Sequence, residues 1–220
     1  MSTMVHGLLA IWSTIQEDVE TDYLHWLTRE HIFERVSVPG FISGRAYRKR
    51  DSAPSEYLIV YTLDDLSVVS SAPYIERLNN PTPWTQRIMP HLQHFRRGGG
   101  AMIAQAGHPG AFGSRLAVAR CDAPPPKLEQ DALNGIAAID RMTQTWIMTV
   151  ASDATSIETR EKSMRTGAEG IFKGMVAIEA LDDAALNQAA HAVQQLTPDD
   201  YHFDFYDLIF SFCKRNNLSM

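Results

Sequence analysis

The chain has 220 residues and a mass of 24.6 kDa, enough for one large domain or two of about 100 residues each. Hydrophobic residues at 45% and charged residues at 21% are ordinary for a folded soluble protein. A net charge of -6 and a pI near 5.7 argue against nucleic acid, whose phosphates call for clustered lysine and arginine.

The opening MSTMVHGLLAIW lacks a basic n-region and a small-residue cleavage site, so it is not expected to be a signal peptide. Its apolar part, residues 6–14, reads as a first strand buried on both faces. Residues 17–36 carry helical spacing, with Val19, Tyr23, Trp26, Leu27 and Glu30 on one stripe and Asp18, Asp22, His25 and Arg29 on another. Pro39-Gly40 stops that helix. Strands are expected over 41–47 and 57–63, a helix over 66–78, a long Trp- and His-bearing insertion over 81–97, and a strand over 98–106. The Gly- and Pro-rich stretch at 107–113 marks a boundary. Beyond it, strands are expected over 115–121, 145–151, 173–180 and 201–212. Helices are expected over 127–141 and from Asp182-Asp183, whose carboxylates cap a helix N-terminus, to Leu196.

The order strand, helix, strand, strand, helix, strand therefore occurs twice. Each β-α-β-β-α-β run is a ferredoxin-like pattern, which gives two units, 1–107 and 113–220. The expected class is α+β, with two ferredoxin-like units packed sheet to sheet as an α+β barrel whose shared interior holds a pocket. No run of about 18 apolar residues offers a membrane span. The two cysteines, Cys121 and Cys213, form no metal-spacing motif and read as reduced thiols of a cytoplasmic protein.

Chemistry concentrates on the first helix. Trp26, Glu30 and His31 lie within two turns, and Arg35 follows His31 by four residues, which makes them neighbours on a helix. His31 is a candidate general acid or base, because an ordinary imidazole titrates near neutrality. Glu30 and Arg35 are candidates to orient it, and Glu30, on the apolar stripe, is expected either to act or to pair with an arginine such as Arg45. The plainer reading is that His31 and Arg35 bond the helix end and adjoining loop. Trp12, Trp26, Tyr47 and Tyr61 are candidate pocket walls, with plain core as their alternative. His25 belongs to the solvated stripe.

The helix DYLHWLTREHI and the following VPGFISGRAYR resemble the EthD-like group of the dimeric α+β barrel superfamily. The second half shares the element order but has no counterpart of the Trp- and His-bearing helix. The resemblance implies a tandem duplication with one retained site. Families of this kind include cofactor-free monooxygenases, lactone isomerases, polyketide cyclases, dehydratases and haem proteins such as chlorite dismutases, so fold is implied more firmly than function. The implied activity is His31-mediated proton transfer on an apolar, aromatic or polyketide-like compound, with Arg35 or Arg45 holding an oxyanion. No cofactor is expected, haem being the alternative, and a ligand-carrying stress protein is the non-catalytic one. Fusion pairs the sheets within one chain, and a homodimer is compatible with superfamily habits.

Other motifs carry less. His91 and His94 have a metal-like spacing but no carboxylate beside them, so the insertion over 81–97 reads as a lid. The glycines at 98–100 have no following helix and do not make a phosphate loop. Of Asp204 and Asp207, one is expected to face the barrel interior, unless both pair with basic residues at the strand end.

Overall fold

The computed structural model describes residues 6–197 and 201–214; residues 1–5 of the opening segment lie outside the described residues. The first half runs β1 (Gly7–Ile15), α1 (Glu17–Trp26), a π-helical turn (Leu27–His31), α2 (Ile32–Ser37), β2 (Phe41–Lys49), β3 (Ser55–Leu63), a 3₁₀ turn (Leu66–Ser70), α3 (Ala72–Asn79), α4 (Pro83–Ile88), a second 3₁₀ turn (Met89–His91) and β4 (Gln93–Gly107). The second half runs β5 (Arg115–Cys121), α5 (Gln130–Ala137), β6 (Met142–Val150), α6 (Arg160–Met164), β7 (Gly174–Ala180), α7 (Asp183–Leu196) and β8 (Asp204–Cys213).

The eight strands close into one antiparallel barrel. Within the first half the lateral order is β4-β1-β3-β2, and within the second it is β8-β5-β7-β6. Pairing of β2 with β8 and of β4 with β6 joins the two sheets edge to edge and leaves no free edge in the barrel.

Strand alternation sorts the side chains into three cores. On β1, Leu8, Ala10 and Trp12 point inward while Leu9 and Ile15 point outward; on β3, Leu58 and Val60 face in while Tyr57, Ile59 and Tyr61 face out. The outward residues of the first half pack under its helices. Those of the second half, rich in alanine, pack under α5 and α7. The lumen itself is filled by Trp12, Tyr47, Trp146, Met175, Tyr206 and their neighbours, so the interior expected to hold a pocket is a packed core instead.

At one end of that lumen sits a buried ion pair. Arg45 donates to Glu179 Oε1 at 2.8 Å and to the Tyr47 hydroxyl at 2.9 Å, and its guanidinium lies 4.0 Å from the centre of the Phe112 ring. Glu179 also accepts from Gln144 (3.0 Å), Trp146 (3.1 Å) and the Gly113 amide (3.2 Å). At the other end the Trp12 indole donates to the Tyr206 hydroxyl at 3.1 Å, which in turn donates to Glu56 at 2.7 Å.

Local chemistry accounts for the element ends. Asp182 accepts from the Ala185 amide at 3.0 Å and caps α7, as its position suggests. Gly40, at φ +89°, supplies the left-handed turn after α2. β4 begins at Gln93 rather than 98, because residues 93–97 pair with β1. The glycines at 98–100 lie within that strand. A Cβ at Gly98 would meet the Phe172 ring at 2.5 Å, so the bare backbone admits the connection that crosses it. α5 starts at Gln130, three residues later than expected, and the last strand starts at Asp204.

Candidate functional site

The helix after β1 is continuous through residue 37 but widens at Leu27–His31, where the Ile32 amide bonds back five residues to the Leu27 carbonyl. At the same place the Thr28 hydroxyl donates to the Leu24 carbonyl at 2.7 Å, satisfying an acceptor where the ladder opens. The bulge changes which residues share a face. In a regular α-helix Glu30 would follow Trp26 by one turn. Here His31 takes that place, its ring centre 4.1 Å from that of Trp26. Single π-turns of this kind recur at functional sites.

Glu30 is accordingly turned away. It is half-buried and accepts a hydrogen bond of 2.6 Å from Thr82, so the expected pairing with Arg45 does not occur. His31 and Arg35, 5% and 2% exposed, line a cavity between the helices and the outer face of β1 and β3, together with Trp26, Tyr23 and Ile59. The cavity is small, about 30 Å³, room for one or two waters.

Arg35 donates to Glu161 on α6, in the opposite half of the chain. Arg97 donates to the Tyr74 hydroxyl at 3.1 Å, and Arg165 lies 4.0 Å from the Phe95 ring centre and pairs with Glu169 at 3.1 Å. Burial works against the charge of Arg35, and Glu161, Tyr74, Glu34 and Tyr61 together outweigh it, so Arg35 stays a cation. Burial, seconded by the nearby Arg35 charge, holds His31 well below its usual range, so its imidazole is neutral at neutral pH. His31 Nδ1, the Tyr23 hydroxyl, Arg35 Nη1 and Arg97 Nε are buried with no hydrogen-bond partner among the described residues. A concave apolar site with a few convergent, unsatisfied polar groups is what a small-molecule site looks like.

The residues singled out from the sequence divide between two places. His31, Arg35 and Trp26 meet at the cavity. Tyr61 stands behind them on the outer face, packed edge-on against Phe41 and within electrostatic reach of Arg35. Trp12, Arg45 and Tyr47 lie across the sheet in the lumen and do not reach the cavity. The insertion over 81–97 is fastened rather than free: Trp84 and Arg87 both donate to Asp22 at 2.9 Å, and Thr85 accepts from Trp26 at 3.0 Å. It supplies a wall through Met89, Leu92 and Phe95. The cover comes from the connection between β6 and β7, tied down by Arg160 to Asn79, Thr166 to Pro90 and Gly170 to Phe95. Its contributions, Glu161 and Arg165, have no signal in the sequence beyond belonging to a polar stretch.

The remaining motifs are surface features. His25 and His91 are exposed, and His94 bonds Thr14 at 2.9 Å. No group of three metal-ligating side chains occurs among the described residues. Asp204 pairs with Lys49, and Asp207 pairs with Arg50 and Arg115. Cys121 is buried and Cys213 exposed, and neither is in a disulfide. No helix among the described residues is long and apolar enough to cross a membrane.

Haem finds no histidine, among the described residues, set over open space between sheet and helices: His31 is packed against Trp26, ring centres 4.1 Å apart. In the second half, the space between sheet and helices is filled by Leu133, Ile136, Leu186 and Val193, while His108, His191 and His202 are exposed.

Solved structures share the architecture along the whole chain. A candidate monooxygenase of Fusobacterium nucleatum superposes with a TM-score of 0.62 at 8% identity, covering 97% of this chain and 96% of its own. The chain has the fold of an α+β barrel. An anthrone oxidase-like protein gives 0.56 at 12% identity, with 99% and 96% covered. A chlorite dismutase variant of Candidatus Nitrospira defluvii gives 0.52 at 10%, with 96% and 92% covered. No protein-family model matches the chain, and no curated protein sequence matches it. At such identities the likeness is one of fold.

Proposed function

We propose that the cavity at the π-turn is the active site of a small-molecule enzyme that moves a proton on an apolar, aromatic or polyketide-like compound. The observation that carries this reading is His31: a neutral imidazole with an unpartnered buried nitrogen, stacked on Trp26 and beside a cation. A neutral imidazole accepts a proton at neutral pH. Arg35 Nη1 is a ready donor for the oxyanion that forms when an enol or phenol gives its proton up. Trp26 and Ile59 form the apolar wall. Isomerisation, cyclisation, elimination and cofactor-free oxygenation all begin with this step. The EthD-like resemblance and descent by tandem duplication belong to the same reading, supported by the identical strand order of the halves. The cavity is small for such a substrate, so the segment bearing α6 has to lift for entry.

Oxygenation is the member of this set we test first, given the anthrone oxidase-like and monooxygenase-named neighbours. Loss of a proton from anthrone gives an electron-rich anion that reduces dioxygen, yielding anthraquinone and one water from one anthrone and one O₂. Oxygen uptake and quinone absorbance are followed for the protein and for His31→Ala. The expected loss in the variant is about 10²-fold or more. Unchanged turnover in the variant would remove His31 from the chemistry.

A further inference from the structure

Two cavities meet at Arg97. On its inner side is the His31 site; on its outer side is a second cavity of about 180 Å³, lined among others by Ser152, Thr155, Ser156, Lys162 and Lys173. The inner site presents three guanidiniums: Arg35 faces Glu161 with Glu34 at 3.6 Å, Arg165 pairs with Glu169 at 3.1 Å, and Arg97 forms no ion pair among the described residues. The outer one adds Lys173 and Lys162, the latter paired with Glu158 at 2.6 Å. The bonds described above do not use up these donors: Arg97 Nε and Arg35 Nη1 are buried without a hydrogen-bond partner among the described residues. Burial and the neighbouring Arg97 charge both press the Arg165 guanidinium down, with Glu169 the main counterweight. Unmatched cationic donors out of water are costly, and an anion placed among them relieves both the desolvation and the mutual repulsion.

Resting on the proton-transfer reading above, we infer that the substrate is an aromatic carboxylate, its carboxylate held at Arg97 between the two cavities and its ring lying inward against Trp26 and His31. The planar guanidinium fork matches a carboxylate, whereas the lysines of the outer cavity serve to draw the anion in. Apolar lining selects the ring, and the excess of positive charge selects the acid over its neutral counterparts.

Benzoate and 1-naphthoate are titrated into the protein by calorimetry beside benzamide and 1-naphthamide, which keep the shape and lose the charge. The acids are expected to bind at least about tenfold more tightly than the amides, with the advantage shrinking as salt is raised. Arg97→Gln should erase the preference, and Arg97→Lys, which keeps a charge at the same place, should retain part of it. Glu161→Gln should strengthen acid binding several-fold, an effect opposite to that of a damaged fold. Amides binding as tightly as acids, neither class binding, or a preference that survives Arg97→Gln would each overturn the inference. The His31→Asn variant separates it from the chemistry. A preference kept in that variant while turnover is lost supports both readings. Loss of turnover without any acid preference in the parent protein leaves the proton transfer standing and removes the carboxylate.

Discussion

Two buried arginine–glutamate pairs lie on opposite sides of the same sheet. Arg45–Glu179 is in the lumen, where the carboxylate takes four donors and the guanidinium is wedged between Tyr47 and Phe112. Arg35–Glu161 is under the helices, where Arg35 Nη1 makes no hydrogen bond, Glu34 Oε2 standing 3.6 Å away, and a cavity adjoins. The first pair has its carboxylate saturated, which suits a part whose task is to fix the end of a barrel. Each guanidinium keeps one buried nitrogen without a hydrogen bond, Arg45 Nε in the first pair and Arg35 Nη1 in the second, but only the second adjoins open space. Burial and pair chemistry are alike in the two cases, so it is the saturated Glu179 carboxylate on one side and the cavity on the other that separate structure from site.

The contrast breaks most visibly in the lumen. Glu179→Ala strands Arg45 in a packed interior and deprives Gln144, Trp146 and the Gly113 amide of their acceptor. A loss of about 3–5 kcal/mol is expected in urea or thermal unfolding, a fall of about 10 °C or more in a chain of this size. Glu161→Ala should cost less, about 1–3 kcal/mol. Arg35 has Glu34 at 3.6 Å as a second carboxylate, and the cavity has room for water to solvate it. Equal or reversed costs would mean that the pocket pair is the structural one.

Much of the barrel was legible because its signals are local. Runs such as YLIVYTL and MVAIEA announce strands apolar on both faces, Pro39-Gly40 ends a helix, and Asp182 marks the start of another. The π-turn was not legible. Its one local trace is Thr28 placed four residues after Leu24, a spacing common in ordinary helices, and without it the neighbour of Trp26 reads as Glu30 instead of His31. Arg45 and Tyr47 show their shared face by alternation, but whether that face lines a pocket or a filled lumen depends on seven other strands. Glu161 meets Arg35 across 126 positions, and no local pattern encodes such a meeting. The difficulty is general: a strand or helix is written within its own dozen residues, and a site is written in the closure of the whole chain.

The mildest test reads the difference between the two pairs through pH. His31 is neutral in the folded protein because of burial first and the Arg35 charge second, and its folded pKa lies well below 6.5. In the unfolded chain it titrates near 6.5. Below that value the unfolded state binds a proton that the folded state refuses, so stability rises with pH and is lost as pH falls from 6.5 toward the folded pKa. The slope from this one group is at most about 1.4 kcal/mol per pH unit, and it vanishes above 6.5, where both states are neutral. The charged groups lining the cavity with His31 are Arg35, Arg97, Arg165 and Glu161, present alike in the protein and in the variant. Unfolding free energies of the protein and of His31→Asn, measured between pH 7.5 and 5, should therefore diverge below 6.5, the variant losing less. Subtracting the two curves cancels the carboxylates common to both. Parallel curves would mean that His31 takes up its proton in the folded protein, and the neutral base at the heart of the proposed chemistry would be gone.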